Sequence, residues 1–129
     1  MKWFLCLMAT ITVLSSCDKT EQQQYDLSGL YVGYFHRTGM DTSLVSLRFT
    51  TDGFEGSSNM TNYPAICGGS YQLQENRIRF TDTCMWTANF DWSLILSGEY
   101  NVEITEATMR IWRTAGNLMD EYILRRPIR

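Results

Sequence analysis

The sequence is poor in histidine and in long apolar runs, and each shortage excludes a class of protein. His36 is the single histidine of the chain, so a Ser-His-Asp or Cys-His catalytic arrangement would have to be built around that one residue. Phosphate-binding glycine motifs, metalloprotease helices and calcium loops are absent as well. We therefore expect a non-enzymatic protein with no catalytic residues and no cofactor.

The longest apolar run lies at the N-terminus, between Trp3 and Val13. It is well short of the roughly 20 apolar residues that a membrane-spanning helix needs. Lys2 precedes it and small residues follow it, which is typical of a signal peptide with its cleavage site. The segment Leu14-Ser15-Ser16-Cys17 resembles the bacterial lipobox, in which the cysteine receives diacylglycerol. We expect residues 1–16 to be removed and Cys17 to become a lipidated N-terminus; the alternative is an ordinary secretory signal with an incidental cysteine.

Residues 17–26 are polar and have no hydrophobic period, which is typical of a flexible tether between a lipid and a domain. Asp18 directly follows the lipidated cysteine. In some bacteria an aspartate there retains a lipoprotein in the inner membrane, whereas acidic residues accompany surface export in others. We expect a protein of the bacterial cell envelope, anchored to the outer membrane through its N-terminal lipid, with the periplasmic or surface face left open.

The charge balance is acidic. Removal of Lys2 with the leader leaves 10 basic and 14 acidic residues, a net charge of −4. This balance offers nothing to attract nucleic acid, and it argues against additional electrostatic binding to anionic lipid. The acyl chains would therefore provide the membrane attachment.

Two cysteines remain for the domain once the leader and the lipidated residue are set aside, namely Cys67 and Cys84. An exported protein reaches a compartment in which disulfides form. We expect these two residues to be bridged, the alternative being a pair of buried free thiols. A metal site is not expected, because two cysteines and one histidine cannot supply the four ligands of a tetrahedral shell.

Alternating apolar and polar residues dominate the chain from Leu27 onward. The longest such stretch, residues 86–96, reads as a half-buried strand. Eight shorter stretches share the pattern and are separated by turn residues: 29–37, 44–50, 54–58, 70–74, 77–81, 100–104, 109–113 and 119–125. These nine strand candidates predict an all-β fold. A sheet of that size is usually closed into a barrel, because closure removes its exposed edges. We expect a small antiparallel up-and-down β-barrel of about eight strands over residues 27–129.

Three segments give the domain a resemblance to a known family: Leu27-Ser28-Gly29-Leu30-Tyr31, Cys67-Gly68-Gly69-Ser70-Tyr71 and the run from Cys84 to Trp92. The chain resembles the lipocalin-like, or calycin-like, small lipoproteins of Bacteroidota-type bacteria. Lipocalins open on Gly-x-Trp, whose indole closes one barrel end beneath a basic residue of the last strand. Here Tyr31 replaces the tryptophan, and the resemblance implies Arg125 or Arg126 as its basic partner.

An aromatic set within the predicted strands suggests a ligand site. Four rings would share one inward face of adjacent strands, where aromatic walls hold apolar ligands: Trp86, Phe90, Trp92 and Tyr100. The alternative is that these rings fill a solid core. In that case the protein would serve as a structural or protein-interaction lipoprotein of the envelope, with Trp112 and the basic strand face of Arg77 and Arg79 outside.

Overall fold

The computed structural model of the protein describes residues 25–87 and 89–128. Residues 1–16 and Cys17, on which the signal-peptide and lipidation predictions depend, lie outside the described residues. The all-β prediction is confirmed: eight strands form one closed barrel, and the described residues contain a single short 3₁₀ helix, Trp92–Leu94. The strands are β1 Gly29–Arg37, β2 Thr42–Phe49, β3 Gly53–Ser58, β4 Gly68–Gln74, β5 Arg77–Asp82, β6 Gly98–Ile104, β7 Thr108–Ala115 and β8 Leu118–Arg125.

The barrel is an antiparallel up-and-down meander. Each strand pairs with the next, and β1 pairs with β8 to close the sheet. In this closing seam Val32 lies opposite Arg125, and Arg37 lies opposite Asp120. Gly33 allows the two backbones to approach, because a Cβ atom at this position would clash with the carbonyl of Ile123.

The inward side chains fill the middle of the barrel. Six buried rings form a chain in which successive ring centroids lie 4.7–6.3 Å apart, running from Tyr31 through Phe49, Phe80, Tyr100 and Tyr122 to Phe35. Buried aliphatic residues, including Leu47, Ile78, Met109 and Ile111, pack around these rings. Small barrels of eight strands are commonly filled by their own side chains in this way.

One barrel end, where β1 begins, is closed by a ring and a guanidinium group. Tyr31 is buried, and the guanidinium carbon of Arg126 lies 4.7 Å from the centroid of its ring. Arg126 also donates hydrogen bonds to the carbonyls of Ser28 and Asp26, at 2.9 and 3.1 Å. Of the two basic residues offered for this position, Arg126 occupies it, and Arg125 is exposed on β8.

The predicted long strand over residues 86–96 is wrong. The described residues of this segment contain no strand, and the chain instead crosses the opposite end of the barrel, passing through the 3₁₀ helix. Two local contacts turn it away from an extended path. The indole nitrogen of Trp86 donates to Asp82 at 2.5 Å, and the carboxylate of Asp91 caps the 3₁₀ helix by accepting from the Ser93 backbone at 2.9 Å.

The predicted Cys67–Cys84 disulfide is present. It joins the start of β4 to the segment that follows β5, and so ties together the two longest connections of the barrel. These connections also meet at an isolated bridge, where Ala65 donates to Leu94 and accepts from Leu96, each at 3.0 Å.

Removal of this disulfide should destabilise the barrel without unfolding it at room temperature. The bridge spans 17 residues of sequence, and closing a loop of that length in the unfolded chain contributes about 3 kcal/mol. We expect Cys67→Ala/Cys84→Ala to lower the melting temperature by about 10 °C or more, as measured by circular dichroism. An unchanged melting temperature, or two titratable thiols in the denatured, unreduced parent domain, would contradict the bridge.

Candidate ligand-binding site

The end of the barrel opposite Tyr31, where β1 ends and β6 begins, is covered by loops. We call this end the mouth, and we call the described residues between β5 and β6, 83–87 and 89–97, the mouth loop. The disulfide holds the mouth loop near its start at Cys84. Two arginines hold it near its end, because Arg113 donates to the carbonyls of Ser93 and Ser97, each at 2.9 Å, and Arg37 donates to Ser93.

A buried ionic cluster lies beneath the mouth loop. Arg37 of β1 and Asp120 of β8, 5% and 6% exposed, form a bidentate pair with distances of 2.6 and 2.8 Å. The remaining N–H groups of Arg37 bind Asp91 at 3.2 Å and Ser93 at 2.9 and 3.3 Å. These five contacts use all five donors of the guanidinium group. The Nε atom of Arg113 approaches Asp120 to 3.5 Å from β7.

Proton equilibria in this region follow from these contacts. The hydrogen bond to Asp120 raises the pKa of the Arg37 guanidinium, although its burial opposes this. Hydrogen bonds from the Ser93 side chain and backbone lower the pKa of Asp91, and the nearby charge of Arg37 acts in the same direction. Burial raises the pKa values of Tyr100 and Tyr122 far above 10, so both phenols stay protonated at neutral pH.

A groove of about 750 Å³ opens between the mouth loop and the ends of β7 and β8. Its apolar wall is formed by Trp86, Trp92, Ile95, Ala115 and Leu118, together with Cys84 of the disulfide. Trp92 is 57% exposed and Leu118 is 47% exposed, so part of this wall faces solvent. A site of this size accommodates a small molecule.

The four predicted ligand-binding rings do not share one inward strand face. Only Tyr100 lies on a strand, and it is buried in the core with the Arg113 guanidinium 4.4 Å from its ring centroid. Trp86, Phe90 and Trp92 belong to the mouth loop, because the strand on which they were placed does not form. There the Trp86 and Phe90 centroids are 5.7 Å apart, and those of Phe90 and Trp92 are 6.2 Å apart. Two of the predicted rings, Trp86 and Trp92, line the groove outside the core.

Sequence reasoning missed the residues that hold the mouth loop in place. Side chains two positions apart on a strand lie on the same face. Arg37 therefore points inward with Phe35, and Asp120 points inward with Tyr122. Arg113 likewise lies on the same face of β7 as Ile111, and its guanidinium group lies against the buried ring of Tyr100. Charged residues at inward positions near strand ends were therefore the available signal for a cluster at the mouth.

The outer face presents the remaining predicted contacts. Glu99 of β6 bridges Arg77 and Arg79 of β5, so this basic strand face is ion-paired. Trp112 is half-buried, with the guanidinium carbon of Arg110 lying 4.1 Å from its ring centroid. On the other side of the barrel Tyr34 and Leu44, cross-strand partners on β1 and β2, are 41% and 63% exposed.

Residues 25–87 and 89–128 contain neither a metal-binding cluster nor a membrane-spanning helix. Within these ranges no three histidine, cysteine, aspartate or glutamate side chains are grouped so as to hold a metal ion. Over the same part of the chain, every helix is too short or too polar to cross a membrane.

Comparison of the chain with protein-family models, with curated proteins and with solved structures finds no match. The assignment of function therefore depends on the residues and geometry of this chain alone.

Removal of one partner of the ionic cluster should destabilise the barrel strongly, because the other buried charge is left without its pair. Asp120→Asn leaves Arg37 and Arg113 without their shared buried carboxylate, and breaking a buried pair typically costs about 3 kcal/mol or more. We expect the urea unfolding midpoint to fall accordingly. Glu121→Gln is the matched control on the outer face of β8, where it weakens an ion pair with Arg110, and it should cost about 1 kcal/mol or less. An equal fall of the unfolding midpoint in the two variants would contradict the role of Asp120 as the carboxylate that pairs the buried arginines.

Proposed function

We propose that the protein is a lipid-anchored lipoprotein of the bacterial cell envelope that acts as a non-enzymatic binding module with a lipocalin-like barrel. The ligand is a small, largely apolar molecule, and its site is the groove at the mouth. The observation that carries this proposal is the groove itself, which has room for a small molecule and tryptophan rings in its wall. The chain of aromatic rings fills the middle of the barrel, so we propose that the ligand binds at the mouth and not in the interior.

The construction of the groove supports a binding role. Its walls are held in place by the disulfide and by hydrogen bonds from Arg37 and Arg113 to the mouth loop. A site whose walls are already ordered loses less conformational entropy when a ligand binds. Partly exposed apolar side chains such as Trp92 and Leu118 would gain by being covered.

Tryptophan fluorescence tests this function. Trp86 and Trp92 line the groove, so a ligand that covers them should shift or quench the emission. We expect saturable changes when the purified chain is titrated with a panel of apolar small molecules that includes fatty acids. Trp92→Ala should weaken binding at least tenfold, because it removes the more exposed ring from the groove.

Trp112→Ala is the matched control, since it removes a half-buried tryptophan from the outer face of β7. The Trp112→Ala variant should bind the ligand with the same affinity as the unchanged protein. A flat response across the panel, or equal losses in the two tryptophan variants, would overturn the assignment of the groove as the ligand site.

The lipid anchor is supported by the sequence of the leader and by where the barrel begins. β1 begins at Gly29, twelve positions after Cys17, and most of the residues between the two are polar. Metabolic labelling with a radioactive fatty acid in a bacterial host tests this. We expect label in the parent and in Cys6→Ala, whose altered residue leaves with the leader, and none in Cys17→Ala. Label retained in Cys17→Ala would refute the anchor.

A second candidate function, a protein-interaction or structural lipoprotein with a solid barrel, is favoured by the outer face of β1 and β2. Tyr34 and Leu44 expose adjoining apolar surface there. Beside them lies a shallow groove of about 460 Å³ whose lining includes Val32 and Leu44. Apolar residues clustered on an outer strand face are typical of contact surfaces. If the fluorescence titration is flat, this surface becomes the leading site.

A further inference from the structure

The charges that line the groove are unevenly compensated. Arg37 and Asp120 are paired with each other, and Arg113 approaches the same carboxylate. Asp82, the other carboxylate of the groove lining, has no lysine, arginine or histidine nitrogen within 4.0 Å among the residues that the structure describes. Its two hydrogen bonds come from neutral donors, the indole of Trp86 at 2.5 Å and the backbone of Cys84 at 3.4 Å.

These contacts leave Asp82 with capacity for another donor. An ionised carboxylate accepts about four hydrogen bonds, and the two that it accepts place it against the edge of a groove-lining tryptophan. The Trp86 ring is further supported by an edge contact with Phe90. A carboxylate close to partly exposed aromatic rings is a combination that attracts an organic cation, because the carboxylate and the ring faces both carry negative potential.

The groove is poorly equipped for an anion. All five N–H groups of Arg37 are used within the protein. Arg113 is held by two mouth-loop carbonyls, by proximity to Asp120 and by the ring of Tyr100. A carboxylate ligand would therefore have to displace existing contacts of these arginines, and it would also be repelled by Asp82, which lines the groove.

On this basis, and resting on the proposed function of the groove, we propose that its ligand is an organic cation: an amine or quaternary ammonium group attached to an apolar body. The cationic group binds beside Asp82 and against the tryptophan faces. The apolar body covers Ile95 and Leu118 on the remaining wall. Asp82 thus selects the charge of the ligand, while the mouth-loop rings supply the contact area.

Three probes with one apolar body and different charges test this inference: 4-phenylbutylamine, 4-phenylbutan-1-ol and 4-phenylbutanoate. Each is titrated against the purified chain, with tryptophan fluorescence as the readout. We expect the amine to bind about tenfold more tightly than the alcohol, in the range of cation–π and carboxylate contacts, and the carboxylate to bind most weakly. High salt should reduce the difference between the amine and the alcohol.

Asp82→Asn is the variant that separates charge from shape, because the amide oxygen still accepts the Trp86 hydrogen bond. This substitution should lower the affinity for the amine to the affinity measured for the alcohol. The affinity for the alcohol itself should not change. Glu103→Gln, which makes the same charge change at an exposed position of β6, should leave the affinities of all three probes unchanged.

The outcomes distinguish this inference from the proposed function. An alcohol that binds the unaltered protein as tightly as the amine, or an amine preference that survives in Asp82→Asn, overturns the cation while leaving the groove as an apolar site. Tightest binding by the carboxylate overturns it as well and assigns the groove to anions. If neither these probes nor the apolar panel binds, the groove has no ligand, and the proposed function fails together with this inference.

Discussion

The bidentate pair between Arg37 and Asp120 connects the closure of the barrel to the covering of its mouth. The two residues are directly opposite each other where β1 and β8 meet, so their pairing lies on the seam that closes the sheet. The same guanidinium group reaches Asp91 and Ser93 in the mouth loop. A buried charge pair on its own contributes little net stability, since its desolvation offsets its attraction. Its value here is geometric, because satisfying every donor of Arg37 requires one position of the mouth loop.

The solid core limits where a ligand can bind. Rings packed from Tyr31 to Phe35 occupy the axis of the barrel, and their burial provides the apolar contact that a barrel of this size requires. A ligand inside would have to replace part of that packing. The groove avoids this conflict, because its apolar wall comes from the mouth loop and from strand ends that lie outside the buried core. The packed interior therefore stabilises the barrel, and the mouth loop forms the wall of the candidate site.

Much of the fold could be predicted from the alternation of apolar and polar residues. The bounds of β1 agree with the prediction, and the inward positions of Tyr100 and Val102 on β6 follow from their parity. The same signal failed over residues 86–96, because hydrophobic alternation records neither the hydrogen bonds nor the tertiary contacts of a segment. There Asp82 and Asp91 bind side-chain and backbone donors locally, and Arg37 and Arg113 bind carbonyls of the mouth loop. The candidate site differs from its predicted location for the same reason, since Trp86 and Trp92 of the predicted strand line the groove.

The placement of the groove separates what the strands determine from what the mouth loop determines. The disulfide fixes the loop at Cys84, and the arginines fix it at Ser93 and Ser97. Between these points Trp86 and Trp92 are the side chains that a ligand would meet first. Neither of these tryptophans belongs to the buried core cluster that contains Phe80 and Tyr122. If the groove is the ligand site, a few loop residues set its preference, and a common barrel architecture by itself says little about what the protein binds.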